Sequence, residues 1–151
     1  MNGKKNVKLY NVLFPVWMLI LFPLAWIVIL PGNFIIDSLV LIISMLILKT
    51  SDKKQFYKKH IFWIFLFGML SDFVGSAYML LMVGVFELGT YGDEPYLTIP
   101  AILIAAALIF VLNYFITFRK DEKRIKLKLS LIFAIVTAPY TFLIPISWLY
   151  Y

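Results

Sequence analysis

The chain has 151 residues, of which 63% are apolar and 15% are charged, and it carries a formal charge of +6 and no cysteine. Soluble domains contain about 45–50% apolar and about 25% charged residues, so this composition excludes an ordinary soluble fold and predicts a protein surrounded by lipid. The absence of cysteine excludes disulfides, thiolate nucleophiles and thiolate metal sites.

Five apolar segments follow one another along the chain. A helix needs about 20 residues to cross a bilayer, and four of the segments reach that length. The remaining one, at 34–48, has 15 residues and spans only if its flanking polar residues lie at the interfaces. The sequence therefore predicts an all-α bundle of five transmembrane helices in a single domain, 1–151. The predicted spans are 9–30, 34–48, 61–86, 96–118 and 129–151.

The first two segments are joined by Pro31, Gly32 and Asn33. Pro-Gly is a strong turn signal, and Asn is a good N-cap for a following helix. The pattern predicts a tight helical hairpin at this point. Asp37 then lies in the first turn of the second helix, near the outer membrane face, where a negative charge is favourable.

The charged residues cluster in the connections between the segments. With five spans, the N-terminal residues, the connection 49–60 and the connection 119–128 lie on one face, and together they hold all 14 Lys and Arg residues. The connection 87–95 lies on the other face and holds three acids and no base. The positive-inside rule then places the N-terminus in the cytoplasm and the C-terminus outside.

An aspartate interrupts the third segment, in the stretch FGMLSDFVGSAYML. Asp72 lies about 16 Å from the start of that segment, close to the bilayer centre, where a charge is expensive. Small and polar residues share its helix face at the spacing i, i+3, i+4, i+7. Such a stripe predicts a seam at which another helix approaches closely. The stripe consists of Gly68, Ser71, Asp72, Gly75, Ser76 and Met79.

Two interpretations of Asp72 remain open. In the first, a neutral or paired carboxyl fixes the register of two helices. In the second, the carboxyl binds a proton or a cation. The expected partners are Thr137, Thr141 or a carbonyl freed by Pro139 in the fifth segment, and Asn113 is a further candidate. Asn33 and Asp37 are candidates for an outer cation or proton entry site.

Catalytic motifs are missing from the sequence. There is no H-E-x-x-H, G-x-S-x-G, P-loop or dinucleotide fingerprint, and the aspartates are scattered singly. We therefore expect no enzyme, no cofactor and no metal site.

Three stretches carry a resemblance to known proteins: NVLFPVWMLILFPLAWIVILPGNFIIDSLVL, SDFVGS and TAPYTFLIP. With them the chain resembles small uncharacterised polytopic membrane proteins of low-GC Gram-positive bacteria. The resemblance implies a location in the bacterial cytoplasmic membrane and no activity.

Two functions follow as expectations. The first is an accessory protein that binds a membrane partner, a second copy of itself or lipid, with anionic headgroups at its basic loops. The alternative is a small proton- or cation-coupled transporter that uses Asp72 as its coupling carboxylate. No contact with nucleic acid is expected, because the Lys and Arg residues lie in the connections between predicted membrane spans.

Overall fold

The structure, a computed structural model, describes residues 19–89, 92 and 94–145. Within these residues the protein is all-α, without strands, and has four long helices. Helix α1 is Trp26–Ile47 and follows a short 3₁₀ turn at Pro23–Ala25. Helix α2 is Lys53–Leu80, helix α3 is Pro95–Leu112 and helix α4 is Lys123–Val136.

Two of the helices change their winding before they end. Helix α2 continues as a π-helix over Leu81–Val85, and α3 continues as a π-helix over Asn113–Thr117. Beyond α4 the chain leaves the helical path and then forms a 3₁₀ turn at Tyr140–Leu143.

Among the described residues, four segments are long and apolar enough to cross a membrane. They are Pro23–Ile47, Lys53–Val85, Pro95–Thr117 and Lys123–Leu143. Large apolar side chains such as Leu24, Ile27 and Leu103 lie exposed on their outer surfaces. Exposed apolar surface on helices of this length is typical of lipid contact. The expectation of an all-α fold with helices of membrane-spanning length is thus confirmed.

The predicted hairpin at Pro31–Asn33 is wrong, because α1 runs through these residues without a break. Proline at the sixth position of a helix removes one backbone hydrogen bond, to the carbonyl of Ile27, and kinks the helix without ending it. Continuation is favoured in lipid, where a turn leaves several backbone groups unpaired. The predicted spans 9–30 and 34–48 therefore share one helix from Trp26 onward. Residues 1–18, which hold the start of the first predicted span, lie outside the described residues.

The helices pack as an antiparallel bundle in which neighbours in sequence are neighbours in space, and α1 also contacts α4. The connections 48–52 and 118–122 therefore share one end of the bundle, which we call the basic end. The connection 86–94 lies at the other end, which we call the acidic end. Helix α2 starts at Lys53, within the lysine-rich connection and eight residues before the predicted third span.

Two apolar clusters fill the bundle. The cluster nearer the basic end includes Leu41, Ile64, Ile109, Phe118 and Phe133. The cluster nearer the acidic end includes Met79, Leu97, Ala101 and Phe142. The candidate functional site lies where α1, α2 and the chain beyond α4 meet.

Candidate functional site

A cavity of about 230 Å³ lies between α1, α2 and the chain that follows α4. We call it the carboxylate cavity, because Asp37 from α1 and Asp72 from α2 both line it. Its wall contains no Lys, Arg or His. The remaining lining residues are Asn33, Ile36, Gly68, Val136, Thr137, Ala138, Pro139, Tyr140 and Thr141.

Asp72 lies at the middle of its span. Lys59 precedes it by 13 residues and Val85 follows it by 13, so it is about 20 Å from each at the helical rise. The side chain is buried. Its Oδ2 accepts a hydrogen bond from Asn33 Nδ2 at 3.3 Å, and the same amide contacts Met69 Sδ at 3.2 Å. Its Oδ1 is buried and has no hydrogen-bond partner among the described residues.

The observed hydrogen-bond partner of Asp72, Asn33, differs from the predicted ones. Thr137 and Thr141 line the cavity with Asp72, but the hydroxyl of Thr137 donates to the carbonyl of Phe133 at 2.8 Å. The carbonyl freed by Pro139, that of Ile135, accepts a hydrogen bond from the Tyr140 hydroxyl. The fifth predicted segment thus supplies cavity wall, and α1 supplies the hydrogen bond.

Asp37 is the second correction. It lies in the interior of α1, eleven residues after the helix begins, and not at a helix N-terminus near the outer face. It is buried, and a Cβ added at Gly68 would lie 3.4 Å from its Oδ2. Since Gly68 and Asp72 are one turn apart on α2, the two carboxyl groups lie within about one helical turn of each other along that helix. Asn33 and Asp37 therefore belong to the same site as Asp72.

The small-residue stripe of α2 faces the bundle interior. Ser71, Asp72, Gly75, Ser76 and Met79 are buried, and Ser71 donates to the carbonyl of Phe67 at 2.7 Å. Gly75 lies where α2 meets α3. A Cβ at this position would come within 3.3 Å of the Ala101 carbonyl oxygen and 3.1 Å of Phe142 Cε2.

Asn113 lies apart from the carboxylate cavity. It is fully buried at the start of the π-helix, and neither amide atom has a hydrogen-bond partner among the described residues. The expectation that it pairs with a buried acid is therefore wrong. Ser130 on α4 is likewise fully buried, and its hydroxyl has no hydrogen-bond partner among the described residues.

His60 is completely buried near the basic end. Its Nδ1 lies 2.8 Å from the carbonyl oxygen of Phe56, so this nitrogen is the donor. Its Nε2 lies 2.8 Å from Asp121 Oδ2, and its ring packs against that of Phe118. Sequence reasoning missed this contact because Asp121 follows His60 by 61 residues.

Taken together, the geometry offers two carboxyl groups, an amide and hydroxyl oxygens around a space between helices that are long and apolar enough to cross a membrane. Oxygen ligands of this kind suit protons and hard cations. Among the described residues, no group of three His, Asp or Glu is placed to hold a metal ion. No protein-family model matches the sequence, and no curated protein or solved structure matches it either.

Proposed function

We propose that this protein is a small membrane transporter that binds a proton or a monovalent cation in the carboxylate cavity. The observation that carries the proposal is that Asp37 and Asp72 line the same cavity, whose wall contains no basic residue. Two ionised acids around one cavity in a bilayer repel each other and lack a countercharge from the cavity wall. A bound proton or cation removes both penalties.

The backbone beyond α4 supports the same proposal. Helix α4 ends at Val136, and the chain passes the cavity in a non-helical path before the 3₁₀ turn at Tyr140–Leu143. Non-helical backbone at membrane depth is tolerated where it lines a cavity or is buried in protein, and transporters place their binding sites at such breaks.

For the orientation, we infer that the basic end lies in the cytoplasm of a bacterial cell, by the positive-inside rule. Eleven of the 14 Lys and Arg residues lie at this end. In this proposed orientation, the C-terminal end of the fourth described span lies on the opposite side, in agreement with the expectation from the sequence. A cytoplasmic N-terminus requires a fifth crossing before Pro23, in a stretch that lies largely outside the described residues.

The alternative function is that of an accessory protein that binds a partner through its helix faces. The hydrogen bond from Asn33 to Asp72 favours it, because a purely structural pairing of α1 with α2 explains that contact. The small-residue stripe of α2, which supported this function in the sequence, does not support it in the structure. At Gly75 the stripe packs inside the bundle against Ala101 and is not exposed to a partner.

The test is a titration of the purified protein that follows the infrared bands of its carboxyl groups. We expect carboxyl protonation to decrease when sodium or potassium is added at fixed pH, because cation and proton compete for the same oxygens. Asp37→Asn and Asp72→Asn should each reduce this change. The matched control is Asp52→Asn, which alters an exposed acid in the connection 48–52.

A transport assay completes the test. Proteoliposomes with an imposed pH gradient should lose it faster when the cation is added, and Asp72→Asn should abolish the acceleration. Carboxyl bands that respond to neither cation nor pH from 5 to 9 would overturn the proposal and leave the accessory function.

A further inference from the structure

A second cavity, of about 420 Å³, lies at the basic end of the bundle, where α2 and the end of α3 meet the connection 118–122. It is separate from the carboxylate cavity and shares no residue with it. We call it the basic-end pocket. Its lining residues are Lys59, Trp63, Phe115, Ile116, Thr117, Arg119 and Lys120.

The charge of the pocket is positive. Lys59, Arg119 and Lys120 line it, and the nearest acid, Asp121, lies 3.5 Å from Lys59 Nζ. Asp121 Oδ2 also lies 2.8 Å from His60 Nε2. Arg119 and Lys120 are exposed and form no hydrogen bond or ion pair with a described residue. Two cations at the rim are thus available to an anion.

The pocket also contains a buried hydroxyl without a partner. Thr117 is 8% exposed, and its Oγ1 has no hydrogen-bond partner among the described residues. Two other threonines among the described residues behave differently. Thr98 and Thr137 each donate to the carbonyl four residues earlier. Thr117 closes a π-turn, in which the Phe118 amide donates to the Asn113 carbonyl, and its own hydroxyl is unpaired among those residues.

The remaining wall of the pocket is apolar and exposed. Trp63, Phe115 and Ile116 all lie on helix surfaces that face lipid. A free anion in water makes no use of such a wall. A molecule with an anionic head and a hydrocarbon tail uses both parts. Tryptophan is also the side chain most often found at the depth of lipid headgroups.

We propose that the basic-end pocket binds the phosphate of an anionic phospholipid, with an acyl chain lying against Trp63, Phe115 and Ile116. Arg119 and Lys120 supply charge, and the Thr117 hydroxyl donates a hydrogen bond to a phosphate oxygen. The site does not depend on the function of the carboxylate cavity, and the two are tested separately.

The experiment uses Trp63 as the reporter, in a full-length variant whose other tryptophans are replaced: Trp17→Phe, Trp26→Phe and Trp148→Phe. The protein is reconstituted in phosphatidylcholine vesicles that contain a rising fraction of brominated phosphatidylglycerol. We expect saturable quenching of Trp63 that exceeds the quenching by the same fraction of brominated phosphatidylcholine. Equal quenching by the two lipids would overturn the proposal.

Variants then separate a site from general surface charge. Arg119→Gln and Lys120→Gln should each weaken the preference for the anionic lipid by about fivefold, the effect of one basic residue near a charged membrane. Lys53→Gln and Lys54→Gln each remove the same charge at the same end, outside the pocket, and should leave the preference unchanged. Control variants as damaging as the pocket variants would show only a diffuse electrostatic attraction and would overturn the proposal.

Two further experiments test the role of the Thr117 hydroxyl and the need for a lipid acyl chain. Thr117→Val should weaken the preference, and Thr117→Ser should restore it, because serine keeps the donor. Soluble glycerol phosphate at millimolar concentration should not displace the brominated lipid. Displacement would show a site for soluble phosphate compounds and would overturn the assignment to a lipid.

Discussion

The two oxygens of Asp72 have different surroundings. Oδ2 accepts the amide of Asn33, whereas Oδ1 is buried without a partner among the described residues. A single hydrogen bond does not replace the hydration that a carboxylate loses in a bilayer. The unpaired oxygen is therefore the atom at which a proton or cation binds in the proposed function.

Substitutions at Asp72 separate the shape of this residue from its charge. We expect Asp72→Asn to keep most of the free energy of unfolding, because an amide oxygen still accepts the hydrogen bond of Asn33. Asp72→Leu should lower it by about 1–3 kcal/mol, because the amide donor loses its acceptor. Unfolding in mixed micelles measures both values. Equal losses in the two variants would contradict this account of the hydrogen bond.

Much of the site at residue scale was predictable from sequence. Helical periodicity placed Asp72 on the same face as Gly75 and Ser76, and the structure buries all three. The partner was not predictable, because Asn33 and Asp37 enter the site only if α1 continues through Pro31. The Pro-Gly dipeptide at positions 31 and 32 indicates only a local backbone preference for a turn. It does not reflect a lipid environment, in which a turn is unfavourable.

At the scale of the element, Gly75 sets how closely α2 approaches α3. An added Cβ would meet the Ala101 carbonyl oxygen, which is backbone and cannot rotate away. We expect Gly75→Ala to destabilise the protein by about 1–3 kcal/mol, the usual effect of overpacking. Thermal unfolding in detergent measures the loss.

The matched control is Gly32→Ala in α1. A Cβ at this position meets nothing within 4 Å, and the residue is helical. Alanine is favoured over glycine in a helix by about 1 kcal/mol, so this variant should be neutral or more stable. A destabilised Gly32→Ala would argue that the chain turns at Pro31 after all.

The end of α4 depends on one hydroxyl. Pro139 cannot donate to the carbonyl of Ile135, and the Tyr140 hydroxyl donates to it instead. We expect Tyr140→Phe to lower stability by about 1 kcal/mol and to speed amide hydrogen exchange in the last turn of α4. Tyr96→Phe removes an exposed hydroxyl that has no hydrogen bond with a described residue and should change neither quantity.

At the scale of the whole molecule, the chain has no cysteine, so single-cysteine variants report topology without background. We expect a membrane-impermeant reagent in intact cells to label cysteine at position 88 and not at 54 or 119. Position 32 lies within α1 and should label poorly, whereas a hairpin would expose it. Labelling at 54 from outside would reverse the proposed orientation.

The all-α fold with helices of membrane-spanning length was predictable from composition and from the lengths of the apolar segments, and the described residues contain four such helices. The charge pattern survives the loss of the hairpin, because both basic connections still share one end of the bundle. The span count at the N-terminal end was less secure. It rested on reading Pro31 as a boundary between two segments of which one, at 15 residues, was already too short.

The apolar cluster around Leu41, Ile64, Ile109 and Phe133 separates the carboxylate cavity from the basic end. A packed core of this kind holds no mobile charge, so the membrane potential falls mainly across it and only weakly across a polar cavity. In a transporter, voltage then acts on the step that moves a cation past this cluster and hardly on the binding step. One charge that crosses the whole drop gains about 2.3 kcal/mol per 100 mV, which changes the ratio of inward to outward passage about 50-fold.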